Sequence, residues 1–120
     1  MKRFLILFCL VFLSTKAFSQ NTARGQKLFE DCRACHATER GVQGVGPDLH
    51  GVFGRKAGTL DDFRYSPALK RSGITWTPKT IEAYVADPQK MVPQNRMPYA
   101  GMPEARDRAD LIAYMREVFK

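Results

Sequence analysis

Apolar positions recur at helical spacing in only a few stretches of this chain, and those stretches set its expected architecture. Leu28, Phe29 and Cys32 stand at i, i+1 and i+4, which predicts a helix over 23–34 with one apolar face. Leu111, Ile112, Met115, Val118 and Phe119 form a second stripe, on a helix expected to start at Pro103 and run nearly to Lys120. Between them, Ser66-Pro67 and Thr77-Pro78 each read as a cap followed by proline in the first turn. They open short helices to about Arg71 and about Ala86, the second stopped by Asp87-Pro88. Residues 41–58 carry Gly41, Gly44, Gly46, Pro47, Gly51, Gly54 and Gly58, and residues 93–103 carry three prolines. Both stretches read as irregular loops. No segment shows a convincing strand pattern. The expected fold is all-α, with three to five helices.

The first twenty residues follow a different pattern. Met1-Lys2-Arg3 is a short basic start, Phe4 to Leu13 is an unbroken apolar run, and Ala17-Phe18-Ser19 places small residues where a signal peptidase reads them. Residues 1–19 are therefore expected to be a cleaved export signal, and 20–120 the mature domain. Ten apolar residues fall short of the roughly 20 that span a bilayer, although a retained N-terminal anchor is the alternative. Cys9 follows the bulky Phe8, which does not suit a lipoprotein cleavage site, and it is read as part of the signal.

Cleavage changes the charge and the cysteine count. Of three cysteines two remain, and nineteen basic residues fall to sixteen against twelve acidic ones, a formal charge of about +4. The positive field is modest and has no Lys/Arg run, so nucleic-acid binding is not expected. About 100 residues make one small domain with a limited core of its own.

Both remaining cysteines lie in Cys32-Arg33-Ala34-Cys35-His36. Two thiols three apart followed by histidine are what covalent haem attachment requires: each thiol adds across a vinyl group and the imidazole can ligate the iron. Two other chemistries compete. A thiol–disulfide pair normally sits at a helix N-terminus after a strand, whereas here a helix precedes the cysteines. A structural zinc site needs four ligands, and the only further histidine is His50, inside the glycine-rich loop. A single motif implies a single haem, expanding the small core. Its second axial ligand is open on this reading: Met91, Met97 and Met102 lie in or beside the proline-rich loop, and Met115 lies on the last helix's core stripe. Met97, in Asn95-Arg96-Met97-Pro98, is flanked by rigid backbone and is best placed to be held against a metal.

At these residues the chain closely resembles the small class I cytochromes c, of the mitochondrial cytochrome c and bacterial cytochrome c2 type. The resemblance covers Gly25-Gln26-Lys27-Leu28-Phe29, the haem motif, Gly46-Pro47-Asp48-Leu49-His50-Gly51, Phe53-Gly54-Arg55 and Gly73-Ile74-Thr75-Trp76. It continues through Asn95-Arg96-Met97-Pro98-Tyr99-Ala100-Gly101 and Arg108 to Tyr114. It implies a haem c held by Cys32 and Cys35, with His36 and Met97 as axial ligands and Met102 as runner-up. It implies that the Pro47 carbonyl receives the other ring nitrogen of His36. It implies that Arg55, Tyr65 and Trp76 bond a buried haem propionate, and that Tyr84 and Asn95 line the methionine side. Gly25, Phe29, Leu111 and Tyr114 match the crossing of first and last helices. His50 matches a position that does not ligate.

The resulting expectation is a soluble, monomeric, periplasmic electron carrier, not an enzyme, cycling one haem iron between ferric and ferrous states. Its partners are expected to be redox proteins, a membrane reductase and an oxidase or photosynthetic complex, docking near the exposed haem edge. Lys27, Lys90 and Arg96 can be placed at that edge, while Asp31, Gln89, Pro103 and Glu104 stand where the mitochondrial relatives carry positive charge. The rivals are a haem enzyme or gas sensor with a displaceable sixth ligand, and a redox-inactive module that carries haem for structure.

Overall fold

In the computed structural model, which describes residues 18–120, the first four helices each start at a residue whose side chain accepts a free amide, and the last has no side-chain cap. The expected signal, residues 1–19, lies outside the described residues except for Phe18 and Ser19. Helix α1 is Thr22–Arg33; Asn21 precedes it in extended backbone and its side chain accepts the Arg24 amide at 2.9 Å. Helix α2, Pro67–Arg71, and helix α3, Pro78–Ala86, begin at the two proline signatures, capped by Ser66 and Thr77. At Thr77 the cap is reciprocal, because Thr80 Oγ1 also accepts the Thr77 amide at 2.7 Å.

Two boundaries differ from expectation, each for a local reason. Asp87 stops α3 as predicted, but its carboxylate also accepts the Lys90 amide at 3.1 Å and opens a one-turn helix α4, Pro88–Met91. The dipeptide read as a stop is a third cap-plus-proline start. Helix α5 is Ala105–Val118, two residues later than Pro103. The carbonyls of Met102 and Pro103 are occupied by Arg108 Nη1, at 2.8 and 2.6 Å, so the first helical bond runs from the Arg108 amide to Glu104. Among the described residues there is no strand, only an isolated bridge pairing Lys56 with Thr75.

Helix α5 packs on both α1 and α3. That double cover buries six consecutive residues, Asp110 to Met115, where a surface helix would bury one stripe. Phe29, Leu111 and Phe119 are fully enclosed, and the Phe29 ring centroid lies 5.5 Å from that of Tyr114 and 5.4 Å from that of Phe119. Each such side chain contributes about 1.5–3 kcal/mol by burial. Val118, assigned to the apolar stripe on spacing, is 44% exposed. At the α1–α5 crossing a Cβ on Gly25 would stand 1.9 Å from the Asp110 carbonyl oxygen, so only glycine permits this approach. An ion-pair group locks the same corner: Arg24 bonds Asp107 and Asp110, and Asp110 also accepts the Asn21 amide at 2.8 Å. Nothing in the sequence pattern anticipates this group.

Candidate functional site

Helix α1 ends inside the motif that carries the chemistry. The amides of Cys35 and His36 both bond the Cys32 carbonyl, at 3.1 and 2.9 Å, which turns the chain and brings both thiols and the imidazole to one wall of a cavity. The cavity holds about 310 Å³. Phe29, Leu49, Val52, Leu69, Ile81 and Met115 supply much of its apolar lining.

The glycine-rich loop 41–58 fixes the histidine. Gly46 donates its amide to the Cys35 carbonyl at 2.9 Å, and a Cβ there would stand 2.4 Å from His36 Cε1. The next residue, Pro47, places its carbonyl oxygen 2.7 Å from His36 Nδ1. A carbonyl only accepts, so the ring proton is on Nδ1 and the Nε2 lone pair is free. Burial lowers the pKa of His36 and Arg55 lowers it further, against the raising effect of the Pro47 bond. Burial, with Asp31 nearby, pushes the Cys32 thiol up to about 11. Among the described residues no group of three or more His, Cys, Asp or Glu side chains is placed to hold a metal ion.

Of the mature methionines, Met97 and Met115 reach the cavity and Met91 and Met102 do not. Met102 is buried in the core instead, its amide bonding the Val85 carbonyl at 2.7 Å, and Met115 is enclosed on α5. Met97 sits in the irregular loop, held by its neighbours. Asn95 accepts the Met97 amide on Oδ1 at 2.9 Å while its Nδ2 donates to the carbonyls of Pro88 and Val92, at 2.9 and 2.8 Å. Gln89 Nε2 adds a bond to the Asn95 carbonyl at 3.1 Å.

The remaining expected residues divide clearly. Arg55, Tyr65, Trp76 and Tyr84 all line the cavity. The guanidinium of Arg55 is itself anchored to the carbonyls of Asp48 and His50, at 2.7 and 3.2 Å. Trp76 and Tyr84 pack with ring centroids 5.1 Å apart, and burial pushes the Tyr84 hydroxyl up to about 12. Asn95 does not line the cavity; it is buried behind Met97 and acts on its backbone. His50 is exposed and stands outside the cavity. Lys27 and Lys90 are exposed away from the lining, whereas Arg96 reaches it.

Two contributors escape the sequence pattern as individuals. Asp48, 2% exposed, accepts the amides of Gly41 and His50, both at 3.1 Å, and faces Arg55 at 3.8 Å. It braces the loop that carries Pro47; an aspartate bonding the amide two residues on is the available signal. Arg64 lines the cavity from the loop before α2 and remains exposed.

An apolar cavity with two thiols and an imidazole on one wall, and a thioether also reaching its surface, fits a haem held through sulfur and ligated by nitrogen and sulfur. Comparison with known proteins agrees. The family model for cytochrome c matches residues 22–119, and the chain belongs to the cytochrome c family. It is 47% identical over 90 residues to cytochrome c2 iso-2 of Magnetospirillum fulvum, covering 75% of this chain and 94% of that one. It is 40% identical over 112 residues to cytochrome c2 of Blastochloris viridis, covering 92% and 88%. Among solved structures, cytochrome cH from Methylobacterium extorquens superposes with a TM-score of 0.75 at 42% identity, over 81% of this chain and 98% of that one. The covalent haem c of this family matches Cys32 and Cys35.

Proposed function

We propose that the protein is a periplasmic electron carrier with one haem c bound through Cys32 and Cys35 and ligated by His36 and Met97. The observation that carries this reading is one apolar cavity onto which Cys32, Cys35, His36 and Met97 all converge. When bound there, the haem supplies a one-electron Fe(III)/Fe(II) couple.

The chain's own residues do the rest. His36 keeps Nε2 available because Nδ1 is committed to Pro47, and a fixed ring needs little rearrangement when charge changes beside it. Met97 is presented by a backbone that Asn95 and Gln89 hold from behind. Apolar walls exclude water and favour the less charged state of the site, which with a thioether ligand raises the potential. Arg55, Tyr65 and Trp76 are donors on a largely apolar lining, suited to a buried propionate. Redox proteins of the membrane, a reductase and an oxidase or photosynthetic complex, are the partners, met by a monomer at the cavity mouth.

Export follows from residues 1–19, with the mature domain 20–120. Among the described residues no helix is long and apolar enough to cross a membrane. Mass spectrometry of protein from its native host tests both parts: a chain starting at Gln20 with one haem that acidified organic solvent does not extract. Extractable haem contradicts covalent attachment, and a retained Met1 contradicts cleavage. Carbon monoxide added to the ferrous protein at neutral pH separates a carrier from a sensor or enzyme. A carrier with a held thioether binds it negligibly, while rapid binding favours the rival.

A further inference from the structure

Arg55 borders the haem cavity and also a second one, which Arg40, Asp48, His50 and Phe53 line with it. Asp48 belongs to the second alone. Arg40 and His50 are exposed, so water and salt screen whatever charge they carry. The side chains of Asp48 and Arg55 are only 3% and 15% exposed, and their charges act through protein rather than solvent.

The contacts of Asp48 call for a carboxylate. Its Oδ2 accepts the Gly41 amide and its Oδ1 the His50 amide, both at 3.1 Å. An asparagine of the same shape has one accepting oxygen, so it satisfies one of these donors and turns an amino group toward the other. Oδ1 also faces Arg55 Nη1 at 3.8 Å, too far for a hydrogen bond but within ion-pair range. The guanidinium is held independently of that charge. Its Nη2 donates to the Asp48 carbonyl at 2.7 Å and its Nη1 to the His50 carbonyl at 3.2 Å, and both carbonyls belong to backbone.

The charge of Arg55 reaches the site. Burial lowers the His36 pKa, the Pro47 bond opposes this, and Arg55 lowers it further. Burial raises the pKa of Tyr65, where Arg55 pulls down and Asp48 pulls up. An uncompensated guanidinium beside the haem cavity disfavours the more positive ferric iron and so raises the potential.

We infer that Asp48 sets the potential of the haem from behind Arg55, its negative charge offsetting the guanidinium and lowering the midpoint. This rests on the electron-carrier reading and adds to it a tuning residue that lies outside the cavity. Asp48 also braces the loop that carries Pro47, and the two roles predict opposite signs. Loosening the loop admits water, which stabilises the more charged ferric state and lowers the potential. Removing the charge while the backbone carbonyls keep Arg55 in place raises it.

The test is a redox titration of the holoprotein at neutral pH in Asp48→Asn, Asp48→Glu and Asp62→Asn, with the thioether–iron absorption recorded for each. Asp48→Asn is expected to shift the electron-exchange equilibrium by at least about threefold toward the ferrous protein, a rise of about 30 mV at about 59 mV per decade. Asp48→Glu keeps the charge and should lie closer to the parent than to Asp48→Asn. Asp62→Asn removes the same charge from an exposed position, and its smaller effect should vanish near 1 M salt, where the Debye length is about 3 Å. The Asp48→Asn rise should persist there. A potential that falls or stays fixed in Asp48→Asn overturns the inference, as does an equal rise in Asp48→Glu or a rise that salt abolishes. If Asp48→Asn alone does not load haem, Arg55→Gln and Asp48→Asn/Arg55→Gln read the same charge. The double variant should then lie above Arg55→Gln by a similar margin, and no rise between them overturns the inference. If the unsubstituted protein shows no reversible one-electron couple, the electron-carrier reading itself fails.

Discussion

The Nδ1 atom of His36 lies 2.7 Å from the carbonyl oxygen of Pro47. The bond joins the end of α1 to the glycine-rich loop and sets both the tautomer and the orientation of the ring. Because the acceptor is backbone, the residue that protects the geometry is Gly46, whose missing Cβ leaves room for the imidazole. Gly46→Ala should therefore disturb the site more than Pro47→Ala, which keeps the carbonyl. The check is the yield of haem-loaded protein and its midpoint potential. Gly46→Ala is expected to lower the yield severalfold, with Pro47→Ala closer to the parent.

Asn95 tests how far the Met97 loop depends on one buried amide. Asn95→Ala leaves the carbonyls of Pro88 and Val92 and the amide of Met97 without this partner. An unsatisfied buried group costs about 1–3 kcal/mol. The thioether–iron absorption should then be lost at lower denaturant than in the parent, ahead of global unfolding followed by far-ultraviolet circular dichroism.

At the helix crossing, Gly25→Ala drives a methyl group into the Asp110 carbonyl, 1.9 Å from the ideal Cβ. Neither backbone can yield without separating α1 from α5, so a loss of about 3 kcal/mol, the upper end for overpacking, is expected in equilibrium unfolding. Ala109→Gly, at a half-buried position of α5, should cost about 1 kcal/mol, the helix-propensity difference.

Asp110 makes acid stability measurable. The Asn21 amide, then Arg24, hold its carboxylate pKa below the ordinary value. A depressed folded pKa means the stabilisation is fully present above the unfolded pKa near 3.8 and is lost as pH falls through the folded pKa. Asp110→Asn should lower stability at pH 7 and flatten its fall below about pH 4. Denaturant titrations at pH 7 and pH 3 check this: the gap between parent and variant should narrow in acid.

Much of the fold and site is legible in the chain because it is local. The two proline signatures mark the starts of α2 and α3, and the spacing of Cys32, Cys35 and His36, with the helix before it, points to the attachment chemistry. What escapes depends on contacts between distant segments. Asp110 reads as an ordinary polar helix position until Asn21 and Arg24 are brought to it, 89 and 86 residues away. Arg108 bonds the carbonyls of Met102 and Pro103 just ahead of α5, a contact no propensity contains. Among the methionines, the rigid flanking backbone favours Met97, and the fold places the Met102 side chain in the core.

The thioether–iron charge-transfer absorption of the ferric holoprotein, compared across single alanine substitutions of the methionines, tests ligation by His36 and Met97 most directly. The band is expected in the parent, with complete loss and a lowered potential in Met97→Ala, and retention in Met91→Ala and Met102→Ala. A parent without the band, or a band that survives Met97→Ala and disappears with Met102→Ala or Met115→Ala, would contradict that ligation.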